Sequence, residues 1–244
     1  MKIEVCVDNL ESALIAESAG ADRIELCAAL PLGGITPSYA LIKTVIEQLT
    51  IPVHVMIRPR AGDFLFTPQE QQIMLTDIEI AKQLGASGVV IGALTEQAQI
   101  DLMLVKRLIQ SAEGMGITFH RAFDLCCDPY LALQQLIDLG CQRVLTSGLA
   151  TTAEQGIHCL ANLIHQANHQ ITIMAGAGIT ANNADKIAQQ TGVTELHLSG
   201  KSYRPSKMQS EHIQAIMGQD ANTDTQLLVT DFNKIATVRR LFPR

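Results

Sequence analysis

Short runs rich in β-branched residues recur along the chain, each followed by a stretch whose apolar positions return with helical spacing. The strand-like runs are IEVCV (3–7), DRIELC (22–27), PVHVMIR (52–58), GVVIGA (88–93), ITFHRA (117–122), RVLTSG (143–148), ITIMAG (171–176) and ELHLSG (195–200). Segments such as NLESALIAESAG, PSYALIKTVIEQL and DPYLALQQLIDLG between them read as helices, several closed by a glycine of the kind that ends a helix. Strand then helix, repeated, predicts parallel pairing through crossover helices. Eight units in 244 residues match one α/β domain, a closed (β/α)8 TIM barrel spanning 1–244. The competitor is an open doubly wound sheet. A dinucleotide site there would need a Gly-rich turn after the first strand, and VDNLES has no glycine, so no nucleotide cofactor is expected. From about residue 203 the pattern lapses into YRPSKMQSEHIQAIMGQDANTDTQ, polar and weakly periodic, before a final helix, TDFNKIATVRRLF, capped by Thr230 or Asp231. This C-terminal extension, 203–244, is expected to cross a barrel end or to pack on a neighbouring subunit.

Alternation within the strands separates the barrel interior from the helix layer. With Ile3, Val5 and Val7 outward, Glu4 and Cys6 point inward. With Ile24 and Leu26 outward, Glu25 and Cys27 point inward. The same parity sends His54, Met56 and Arg58, Thr118 and His120, and His197 and Ser199 to the interior. A purely structural barrel would fill its layers with Val, Ile and Leu, whereas clustered buried charges are costly unless they pair or hold a ligand. His120 stands near the carboxyl end of strand five, where active sites of this fold lie, and Arg121, Asp124, Cys126 and Cys127 belong to the loop that leaves it.

The net charge of −6 and the absence of Trp leave neither a basic stripe nor stacking platforms, so nucleic acid is not an expected partner. No apolar run approaches the roughly 20 residues of a membrane helix, and MKIEVCVD carries no signal segment. A soluble, cytoplasmic protein is expected, and its six scattered cysteines read as thiols without a disulfide framework or a CxxC. MAGAGIT and LSGKS, after strands seven and eight, offer Gly176, Gly178, Gly200 and Lys201 as an anion-binding rim, and MIRPRAGDF adds Arg58 and Arg60. Arg58 could instead neutralise Glu4 and Glu25. These features suit an enzyme acting on a small anionic or phosphorylated substrate, with Glu4, Glu25 and His120 as acid/base candidates.

MKIEVCVDNLESA, GADRIELC, GGITPS, VMIRPRAGDF, TFHRAFD and RVLTSG, in this order and continuing through AGAGIT into ELHLSGKS, resemble the CutC family, named for copper tolerance. That resemblance implies a cytoplasmic (β/α)8 barrel of copper homeostasis that binds Cu(I) and forms a homo-oligomer, a dimer being favoured. It also implies that the cysteines of EVCVD and RIELC, here Cys6 and Cys27, are the copper ligands. Both thiols share the inward parity, and soft thiolates suit Cu(I).

Overall fold

The computed structural model describes residues 1–208 and 225–243. Eight parallel strands close into a barrel in chain order. They are β1 (Lys2–Val7), β2 (Arg23–Leu26), β3 (Val53–Met56), β4 (Gly88–Ile91), β5 (Gly116–Phe119), β6 (Arg143–Thr146), β7 (Thr172–Ala175) and β8 (Glu195–Leu198). The crossover helices are α1 (Leu10–Ser18), α2 (Tyr39–Gln48), α3 (Pro68–Gln83), α4 (Leu102–Ser111), α5 (Pro129–Asp138), α6 (Ile157–Ala167) and α7 (Ala184–Thr191). Polar side chains start them where the sequence turns from strand exit to apolar period. Asn9, Ser38, Asp101 and Asp128 accept first-turn N–H groups, and Thr67 with Glu70 forms a capping box on α3.

The parity argument holds. Ile3, Val5, Val7, Ile24, Leu26, Val53, Val55, Ile57, Ile117, Phe119, Leu196 and Leu198 join one large core between strands and helices. Cys27, Met56 and Val90 form a separate cluster inside the barrel. Pairing aligns the interior residues, Glu4 with Arg23 and His197, Cys6 with Glu25, and Glu25 with His54.

The extension differs from the expected irregular crossing. Lys201–Pro205 forms β9, which pairs antiparallel with β10 (Gln226–Thr230), and β10 packs beside α1. Lys201 and Ser202 thus open a strand instead of sitting in a loop. The exposed, alternating edge of a two-stranded ribbon carries too weak a periodic signal to stand out from a polar segment. Residues 209–224, the greater part of that segment, lie outside the described residues. The final helix, α8 (Phe232–Leu241), is capped by Asp231, which accepts from Asn233 and Lys234 N–H. Among the described residues no helix is long and apolar enough to cross a membrane.

Candidate functional site

The carboxyl ends of the strands open into a cavity of about 510 Å³, whose walls include Cys6, Glu25, Met56, Arg58, His120 and His197. A floor of ion pairs underlies it. Arg23 is ion-paired with Glu4 and, at 2.6 Å, with Glu195, and Arg143 lies 3.1 Å from Glu195. Glu4 also meets His197 Nδ1 at 2.8 Å. Burial opposes ionisation of Glu4, but the His197 hydrogen bond and the Arg23 charge outweigh it and hold the carboxyl far below its usual range. His197 is the converse: burial disfavours its imidazolium, yet Cys6, Glu25 and Glu4 raise its pKa well above 6.5.

With Nδ1 given to Glu4, His197 turns Nε2 toward Glu25, 3.7 Å away. Ligand atoms of Cys6, Glu25 and His197 all lie within 4.8 Å of one another. A carboxylate behind a histidine fixes the ring for metal ligation and raises its basicity. Burial, with the Glu4 charge next to it, pushes the Glu25 carboxyl up to about 7, so it exchanges its proton near neutrality. Cys27 lies behind this group. Its Sγ is 3.6 Å from Glu25 Oε2 and packs against the backbone of Gly34, and burial drives its thiol well above the normal range.

The TFHRAFD motif organises the rim. His120 Nδ1 accepts from Ala122 N–H, while Asp124 pairs with Arg121 and accepts from Ser147 and Leu149 N–H, tying this turn to the end of β6. Cys126 is buried beneath the turn and Cys127 is exposed, and neither forms a disulfide.

Of the residues singled out from sequence, Cys6, Glu25, Arg58, His120, Gly178, Gly200 and Lys201 line the cavity. Glu4 lies below it, and Cys27 behind Glu25. Arg60 is directed to Asp63 and Glu70. Gly176 is packed beneath Leu145 and His197, where a Cβ would meet Leu145 Cδ1 at 2.6 Å. Arg58 does not neutralise the acids. Its Nη1 donates to the carbonyls of Leu32 and Gly34 and its Nη2 to that of Gly62, because the loops after β2 and β3 fold over it. The counter-ions of Glu4 are Arg23 and His197.

Arg23, Arg143 and Glu195 were not foreseen. Each stands two residues before an inward position on its own strand, so the same parity carried to the strand starts would have found them. His197 was read as inward, but its place as the third member beside Cys6 and Glu25 depends on barrel closure.

The CutC family profile matches residues 1–202, through every barrel strand. A family protein CutC from Pasteurella multocida (strain Pm70) is 58% identical over 239 residues, covering 98% of this chain and 98% of the relative. One from Histophilus somni (strain 2336) is 56% identical over 242 residues, covering 99% of each. Among solved structures, a CutC protein from Streptococcus agalactiae, to which copper homeostasis is ascribed, superposes with a TM-score of 0.78 at 36% identity over 82% of this chain and 98% of that one. Thiamine phosphate pyrophosphorylase from Pyrococcus furiosus shares the fold alone, with a TM-score of 0.59 at 13% identity over 98% of this chain and 94% of that one. Near-complete relatives above half identity, and a profile that runs the length of the barrel, place the chain in the CutC family.

Proposed function

We propose that the protein binds Cu(I) at the wall of its cavity and acts in the cytoplasm, serving copper homeostasis, the role ascribed to its Streptococcus agalactiae relative. The observation that carries this reading is the approach of Cys6, Glu25 and His197 ligand atoms to within 4.8 Å of one another. Thiolate and imidazole are suited to Cu(I), and the Met56 thioether on the same wall is a third soft donor. Glu4 would hold the ring of His197 with Nε2 toward the ion. Cys27 is the second thiolate the reading calls on, once its hydrogen bond to Glu25 opens.

The test is a competition titration of reduced, metal-free protein against a Cu(I) chelator. One copper per chain is expected, with affinity lowered at least tenfold in Cys6→Ser and in His197→Gln, and less in Cys27→Ser. Parent-like affinity in a normally folded Cys6→Ser, Cys27→Ser protein overturns the reading.

A second reading is an enzyme acting on a small anionic or phosphorylated substrate, and the cationic side chains of Arg58, Arg121 and Lys201 on the cavity wall favour it. Glu25, which exchanges its proton near neutrality, suits acid/base work better than Glu4, which the ion pairs keep charged. Gly178, Gly200 and Lys201 at the rim would receive the substrate's anionic end.

A further inference from the structure

Glu4, His197 and Cys6 form a chain of contacts. Glu4 Oε1 meets His197 Nδ1 at 2.8 Å, and the Cys6 sulfur is a hydrogen-bond partner of the same ring. Glu25, 3.7 Å from Nε2, is beyond hydrogen-bond distance and leaves that nitrogen to the sulfur. Barrel closure sets the order: β1 carries Glu4 and Cys6 on its inner face, and β8 lays His197 beside Glu4. A thiol, an imidazole against it and a carboxylate that fixes the ring are a nucleophile, its base and the group that orients the base. The sulfur is also reachable. Cys6 keeps 9% of its surface open whereas Val5 and Val7 beside it keep none, so the opening is at the side chain, in the cavity wall.

The charge around this sulfur is positive. Arg58, Arg121, Lys201 and Lys234 line the cavity against one wall carboxylate, Glu25. Arg121 is paired with Asp124, and the Arg58 Nη atoms are turned to backbone carbonyls. Lys234 donates to the carbonyl of Lys201, and neither lysine has an ion-pair partner among the described residues. Lys201 and Cys6 share a side crevice of about 10 Å³, whose own acid, Asp8, accepts from Leu30 N–H and from Asn9. Cations outnumber acids around the sulfur even with Asp8 counted, so a molecule that reaches it is favoured by a negative charge.

We propose that Cys6 is the nucleophile of an esterase whose substrate carries a negatively charged acyl group, with His197 moving the proton and Glu4 positioning His197. The assignment rests on the second reading, that the protein is an enzyme for a small anion. The Cys6 sulfur attacks the acyl carbon with the proton of the pair held on His197. A C–S bond forms, the ester C–O bond breaks, and the alcohol leaves with that proton. Water then gives a proton to His197 as its oxygen attacks the thioester. The C–S bond breaks, the carboxylic acid departs, and Cys6 and His197 are as they began.

The test uses reduced, metal-free full-length protein and two esters with one leaving group: mono(4-nitrophenyl) succinate, whose acyl group is charged, and 4-nitrophenyl butyrate, whose acyl group is not. The succinyl ester should release a burst of one 4-nitrophenolate per chain and then turn over steadily. Peptide mass spectrometry of quenched protein should place the succinyl group on Cys6 ahead of Cys127, the exposed thiol. His197→Gln should slow acylation of Cys6 about a hundredfold. Glu4→Gln should lower the maximal acylation rate and leave the half-saturating ester concentration unchanged, a split that loosened packing of the wall would not give. Acylation of Cys6 at the parent rate in His197→Gln overturns the assignment. So does label on Cys127 or on lysines ahead of Cys6, a comparison that needs only the parent and decides alone if the variants do not fold. Equal labelling of Cys6 by the two esters overturns the charged substrate. If Cys6 stays unlabelled while plain succinate raises the melting temperature, this assignment falls and the second reading stands; if Cys6 stays unlabelled and succinate has no effect, both fall.

Discussion

Gly92 lies against the ring of His120, and a Cβ at position 92 would meet the imidazole Cε1 at 2.3 Å. The relation repeats four residues earlier, two repeats of the pleat lower, where a Cβ on Gly88 would meet His54 Nε2 at 2.5 Å. Glycine at these two interior positions of β4 and its exit lets histidines from β3 and β5 lie across the strand. Gly92→Ala should push His120 off Ala122 N–H and cost about 1–3 kcal/mol through overpacking. Denaturant unfolding gives the cost, and the His120 ring signals report the displacement. An alanine protein with parent stability and unmoved signals would show that the ring has room to spare.

Arg23 is the common counter-ion of Glu4 and Glu195. Arg23→Met leaves two buried carboxylates short of positive charge, and a loss of about 3–5 kcal/mol is expected. Adding Glu4→Gln should restore part of it, because the uncompensated charge dominates the cost. A double variant less stable than the single one by the full cost of each change would contradict that coupling.

Stability should fall steeply in acid. His54 and His120 are held neutral by burial, with pKa values of about 3 against 6.5 for the ordinary side chain, so the unfolded chain binds two more protons as pH drops below 6.5. Glu25, raised to about 7, works the other way, since its contribution is complete below 4.5 and fades as pH rises toward 7. From 6.5 down to 4.5 these groups leave a net difference of one proton, or about 1.4 kcal/mol per pH unit. Below 4.5 Glu25 drops out and the depressed Glu4 adds to the histidines, so the slope steepens to about 4 kcal/mol per unit. Unfolding midpoints measured against pH check this. His120→Leu should remove one proton's share of the slope.

Copper uptake should release protons. His197 must lose its extra ring proton to bind Cu(I), so apparent affinity should rise with pH. Chelator competition at several pH values measures the trend, and a flat profile would exclude His197 as a ligand.

The barrel and the inward set were legible because parallel strands alternate strictly: one misplaced residue would have sent Ile3 and Val5 inside and Glu4 out. Arg58 was harder. Its position was correctly read as interior, but its partners are carbonyls of loops whose path over it comes from tertiary folding, which carries no sequence period. Gly176 and Gly178 look equivalent in AGAG, yet one is packed under Leu145 and the other lines the cavity, a difference made by the bend of the chain between them. The β9–β10 ribbon was missed because its strands are separated by twenty residues, with no short turn to announce the pairing.

Glu4 finds its imidazole partner 193 positions along the chain. During synthesis β1 and β2 therefore leave the ribosome long before β8, and the floor of the barrel spends that interval with Glu4 and Arg23 lacking Glu195 and His197. A half-made sheet has an unpaired strand at each edge and a polar inner face open to water, which favours delay over premature closure. Emergence of β8 completes the hydrogen-bonded seam and the charge network together, so the assembly of the cavity floor is timed by the end of translation of the barrel, and a nascent chain stalled before residue 195 should remain open to proteases and chaperones.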